Sequence, residues 1–155
     1  MSDTLRGAHR LMELINTLSL FTRKTMVAWL PELAEELGVS AQRFITMFEL
    51  ELEPDSSLKY LAERLVVSPS ALSVMINSMV EQGTVARVPD TRDRRRVVLR
   101  LTQQGRQELQ AIEQGLTARY QAYLEGVAEA DRRDLITHSE ALLAAVNRIL
   151  SRGPQ

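Results

Sequence analysis

The hydrophobic period of this chain changes twice, and the two changes enclose one short segment. From about residue 5 to residue 82 apolar side chains recur at spacings of three and four. From Val85 to Leu101 they alternate, and from about 103 onward the helical spacing returns. A chain patterned this way has only enough strand for one hairpin. That excludes parallel α/β sheets, sandwiches and barrels, and leaves a mainly helical protein with a single two-stranded insertion.

Local signals place the boundaries. Leu11, Leu14, Ile15, Leu18 and Phe21 mark a helix over 5–30, and Pro31 starts or kinks a short segment that runs to Leu37 and ends at Gly38. Ser40 caps a helix over 41–52 with Phe44, Met47 and Phe48 inward, and Glu53-Pro54-Asp55 is a turn. Ser56 or Ser57 caps a short helix over 58–65 bearing Leu58, Leu61, Ala62 and Leu65. After the Val66-Val67 link, Ser68-Pro69 joins a capping hydroxyl to a proline at the first helical position. The helix it opens, 69–82, buries Leu72, Met75, Ile76 and Met79, and Gly83 stops it. Strands follow at 85–88 and 96–101, with Val97, Leu99 and Leu101 alternating against Arg96, Val98 and Arg100. Thr102 caps a long helix over 103–125, which Gly105 and Gly115 weaken by roughly 1 kcal/mol each relative to alanine. Asp131 caps a last helix over 132–150. Three regions result: an N-terminal helical arm and linker over 1–38, a compact lobe over 39–101, and C-terminal helices over 102–155.

Charge is distributed as unevenly as hydrophobicity. The whole chain carries a formal charge of -1, which rules out a uniformly basic surface. Residues 87–106, however, hold seven of the 19 basic side chains, and all seven are arginine: Arg87, Arg92, Arg94, Arg95, Arg96, Arg100 and Arg106. Asp90 and Asp93 are the only acids among them. Arginine forks onto phosphate oxygens and reaches base edges better than lysine. Read alone, such a cluster is equally a solvated, salt-bridged turn.

Several chemistries are excluded or disfavoured. The chain has no cysteine, so disulfides, thiolate metal sites and thiol redox sensing are out. His9 and His138 are the only imidazoles, lie far apart, and make a metal site unexpected. No nucleophile–base pairing suggests an enzyme. No apolar run is long enough to span a membrane and no secretory leader is evident, so the expectation is a cytoplasmic protein.

A short helix, a tight link and a Ser-Pro-capped helix followed by a hairpin make a winged helix-turn-helix. The second helix would enter a major groove, offering Ser68, Ser70, Ser73, Asn77 and Ser78, small polar residues that let the backbone approach closely. The hairpin tip would place Arg92, Asp93, Arg94, Arg95 and Arg96, with Arg87 on the first strand, against phosphates or the minor groove. The amphipathic helices at both ends exceed what a small lobe needs. Periodicity allows them to fold back on their own core or to pair between two subunits. The homodimer is the expectation, because a symmetric reader gains from two coupled half-sites roughly 34 Å apart.

At this point the sequence resembles the MarR/SlyA family of winged helix-turn-helix regulators, over nearly its whole length. The correspondence runs through Val39-Ser40-Ala41-Gln42-Arg43-Phe44-Ile45-Thr46-Met47, Leu58-Lys59-Tyr60-Leu61-Ala62-Glu63-Arg64-Leu65, Ser68-Pro69-Ser70-Ala71-Leu72 and Gly83. It is most specific in the wing: Asp93-Arg94-Arg95, then Leu99-Arg100-Leu101-Thr102 and Gly105. The resemblance implies a dimeric, double-stranded-DNA-binding repressor of a palindromic operator, released by a small aromatic or lipophilic effector and needing no cofactor. It also implies Arg94 at the wing tip with Asp93 orienting its guanidinium. Trp29, Tyr60, Tyr120 and Tyr123 are candidates for an effector cleft or, equally, for core and interface packing. One departure stands out: no Lys or Arg lies between Arg64 and Arg87, so the groove-facing helix carries no cation. That keeps open the alternative of a helical interaction protein whose winged helix binds protein instead of specific DNA.

Overall fold

The computed structural model describes residues 3–91 and 93–151. Its elements are α1 (Asp3–Lys24), α2 (Met26–Leu37), α3 (Ala41–Leu52), α4 (Leu58–Leu65), α5 (Pro69–Glu81), β1 (Val85–Pro89), β2 (Val97–Leu101), α6 (Gln103–Glu125) and α7 (Glu129–Leu150). The mainly helical class with one wing holds. Two compact units emerge, Met1–Leu116 and Thr117–Gln155, with the division inside α6.

Caps written in the sequence set most boundaries. The hydroxyls of Ser40, Ser57 and Ser68 accept the backbone N–H groups of Arg43, Tyr60 and Ala71, each at 3.2 Å. These bonds satisfy donors that the first turn leaves open. Ser57 is thus the cap of α4. Its neighbour Ser56 is buried, and its carbonyl accepts the Leu99 N–H at 2.9 Å, a bridge alongside the hairpin. Gly38 and Gly83 take left-handed φ values of 64° and 76° just past α2 and α5. At the end of α4 the same conformation falls on Val66, φ 54°. A β-branched residue there is strained, since its Cβ crowds the backbone.

Three local expectations need correction. The first helix breaks at Thr25, and Pro31 lies inside α2. Thr25 is buried, and its hydroxyl donates to the Phe21 carbonyl at 2.8 Å. The last helix begins at Glu129 after Ala128, without a side-chain cap, so Asp131 sits in its first turn. There it favours the helix through charge, not as the cap. Phe48, expected inside, is 41% exposed with its ring 6.1 Å from that of Phe44.

Leu33 of α2, Phe44, Met47 and Leu50 of α3, Leu61 of α4, Leu72, Ile76 and Met79 of α5, Val85, Leu99 and Leu101 of the hairpin, and Leu109 and Ile112 of α6 form one buried cluster. Two glycines in α6 admit its neighbours. A Cβ at Gly105 would overlap the Thr84 carbonyl oxygen, and one at Gly115 would lie 2.6 Å from a methyl of Leu33. The helix propensity lost at these positions therefore allows close packing. A void of about 10 Å³ lined by Leu30, Leu33, Ala34, Val39, Ala41, Phe44 and Ile112 is almost wholly apolar, so a water there would lack the polar partners it needs.

Candidate nucleic-acid interface

The hairpin is antiparallel, with Val85 opposite Leu101, Arg87 opposite Leu99 and Pro89 opposite Val97. Burial of Val85, Leu99 and Leu101 anchors it to the lobe. Val98, assigned outward by alternation, is also buried, whereas Val97 at the loop end is 56% exposed. Beyond the strands the Asp90 N–H donates to the Arg96 carbonyl and the Arg96 N–H to the Asp93 carbonyl, both at 2.9 Å. The Asp93 carboxylate accepts the Arg95 N–H at 3.0 Å. Asp93 therefore shapes the backbone of the turn. The Asp93–Arg94 ion pair implied by the family pattern is not formed, because the carboxylate is folded toward the main chain. Arg92 lies outside the described residues.

The arginines divide into two groups. Arg94, Arg95 and Arg96 are exposed, and among the described residues their guanidinium groups bond to no side chain of their own subunit. The others are held. Arg100 grips the Asp55 carboxylate with both Nε and Nη2, the latter at 2.7 Å. That hydrogen bond, and then the Asp55 charge, raises the Arg100 pKa above its ordinary value. Arg106 donates to the Leu101 carbonyl at 2.9 Å. Arg87 reaches from β1 to α5 and donates to Oδ1 of Asn77 at 2.6 Å.

On α5, Ser70 and Asn77 are exposed, while Ser73 and Ser78 are half-buried at the edges of the face. The oxygen of Ser68 serves the cap and lies 3.2 Å from that of Ser70. Ser78 accepts from the Gln82 amide at 3.2 Å. Val74 lies between Ser70 and Asn77 on the same face and is 71% exposed. Its spacing of four from Ser70 and three from Asn77 puts it in that row, but a valine has no donor or acceptor that would mark it in the sequence as a contact residue.

A polar network behind the face was also missed. Arg43 of α3 meets Glu108 of α6 at 2.7 and 3.0 Å, Thr84 at 3.1 Å, and the Gln82 side-chain oxygen. This largely buried fork ties together the end of α5, the start of the wing and α6. Three stretches of chain far apart in sequence build it, and no local period signals such a meeting.

The aromatic candidates do not form one assembled cleft within either unit. Trp29 is half-buried on α2, and Tyr60 on α4 is 40% exposed. In the C-terminal unit Tyr120 lines an open concavity of about 420 Å³ with Thr117, Gln121, Leu124, Glu125 and Arg132, and Tyr123 is 43% exposed. Among the described residues no group of three or more His, Asp or Glu is placed to hold a metal ion. None of the described helices is long and apolar enough to cross a membrane.

A capped helix-turn-helix, a hairpin packed against it and free arginines at the hairpin tip define a winged helix-turn-helix protein. Residues 37–96 match the MarR family, and over that segment the chain is similar to its members. It is 30% identical over 100 residues to the HTH-type transcriptional repressor MdtR of Bacillus subtilis, a match spanning 61% of this chain and 64% of that repressor. Among solved structures, YusO from Bacillus subtilis is similar at 28% identity, with 89% of this chain and 97% of that one covered and a TM-score of 0.63. The transcriptional regulator BldR from Sulfolobus solfataricus is similar at 28% identity, with 98% and 99% covered and a TM-score of 0.59.

Proposed function

We propose that the protein is a homodimeric transcriptional repressor that binds an inverted repeat in double-stranded DNA and is released by a small aromatic or lipophilic effector. The observation that carries DNA binding is the wing tip, where Arg94, Arg95 and Arg96 stand exposed beside a helix with a close-approach face. Guanidinium groups without partners in their own chain retain their full capacity for phosphates and the minor groove. Arg87, bonded to Asn77, brings to α5 the cation its own sequence lacks, which weakens the case for a helical interaction protein that has lost DNA.

Dimerisation is supported by α1 and α7, neither of which contains a buried residue although both carry rows of large apolar side chains. A second copy of the chain, with the same rows, is the occupant that buries them. Repression is supported by the B. subtilis relative, itself a repressor. An effector is supported by the aromatic residues Trp29, Tyr60, Tyr120 and Tyr123 and by the concavity beside Tyr120. The cytoplasm is where such a protein would meet its operator.

The test is a mobility shift of the DNA upstream of its own coding region at two salt concentrations. The wild type binds, and affinity falls steeply with salt. Arg94→Ala weakens binding at least about tenfold with the dimer intact on light scattering. Absence of a shift with both that region and generic duplex at about 50 mM salt would overturn the reading.

A further inference from the structure

The reading face of α5 has a chemical bias that follows from two contacts. Arginine carries donors only, so the Asn77 atom that faces Arg87 at 2.6 Å must be the amide oxygen. The Asn77 amino group is then turned away from Arg87, on an exposed side chain, with a positive guanidinium behind it. An asparagine pairs with adenine by accepting from N6 while donating to N7. Here one of the two lone pairs of that acceptor is taken by Arg87, and the adjacent charge repels the amino groups of adenine and cytosine. The same charge attracts the O6 and N7 acceptors of guanine. One turn closer to the helix start, Val74 presents an aliphatic side chain, 71% exposed, in the row between Ser70 and Asn77. On a groove face an aliphatic side chain has one specific partner, the C5 methyl of thymine.

We propose that Val74 and the Asn77–Arg87 pair set the operator preference of this protein, with a thymine methyl against Val74 and guanine, not adenine, opposite Asn77. The proposal rests on the DNA-binding reading above and makes Val74 and Arg87 specificity residues. Arg87 acts both as a direct donor and by fixing the orientation of the Asn77 amide.

The experiment is pooled selection of random duplexes with the full-length protein. Titrations of the recovered site follow, with single thymines replaced by uracil and single guanines by 7-deazaguanine. In each half-site one thymine-to-uracil change weakens binding about fourfold, the worth of one buried methyl. Val74→Ala, an exposed truncation that leaves the core intact, removes this sensitivity. Arg87→Met lowers the preference for guanine opposite Asn77 and raises that for adenine, while the uracil penalty persists. Uracil tolerated at every position, a uracil penalty that survives Val74→Ala, or wild-type selection of adenine opposite Asn77 would each overturn the proposal with DNA binding still standing. Failure to recover any site, with no shift of generic duplex, would remove the DNA-binding reading and this inference with it.

Discussion

The lobe between Leu30 and Leu116 and the helices at the two ends of the chain contain similar proportions of apolar residue and use them in opposite ways. Within the lobe, Met47, Leu72, Ile76 and Met79 are fully buried. In α1, Leu11, Met12 and Ile15 are 55%, 58% and 48% exposed, and in α7, Leu143, Ile149 and Leu150 are 60%, 68% and 71% exposed. These exposed rows are where the second copy proposed above would pack, which would make the lobe's stability and the assembly's stability separable quantities.

The strongest way to break that comparison is to charge the ends. Leu11→Glu combined with Leu143→Glu is expected to convert the dimer to monomer at micromolar concentration, with helical circular dichroism of the lobe largely retained. Light scattering and a thermal melt read the two effects separately, and a dimer that persists would show that these rows are not its interface. A second, smaller effect belongs to the lobe alone. Arg43→Met strands the Glu108 carboxylate in a largely buried site and is expected to lower unfolding free energy by about 3 kcal/mol in urea titration. Loss of only a few tenths would demote the fork to an ordinary surface pair. The smallest effect has the opposite sign. Val66→Gly relieves a left-handed β-branched residue that is 90% exposed, and is expected to stabilise the lobe by about 1 kcal/mol. A decrease in melting temperature would mean that Val66 makes a contact in the assembled protein.

Elements closed by local chemistry were readable in advance. Ser40, Ser68, Gly38 and Gly83 act within four residues of themselves, the serines opening and the glycines closing a helix as expected. What escaped depends on tertiary neighbours. Pro31 looked like the break, yet the kink settled at Thr25. The Ser56 bridge to Leu99 joins segments over forty residues apart. The expected partner of Asp93 was the next side chain, and the turn claimed its carboxylate first. At the candidate site the residue types and their faces were legible, whereas the coupling of Asn77 to Arg87 required knowing which strand lies beside which helix. Val74 was a different omission. An apolar residue in an exposed helical row invites no chemistry until a groove is imagined against it.

The joint between the wing and α6 carries a mechanical consequence. The Thr102 hydroxyl donates to the Gly83 carbonyl at 2.6 Å and accepts the Gly105 N–H at 3.0 Å, while the Thr102 N–H bonds the Thr84 carbonyl at 3.1 Å. The start of α6 is thereby riveted to both ends of the hairpin's base. Any turning of that helix start therefore carries the base of the hairpin with it, and under the function proposed above it would shift the arginine tip against a duplex.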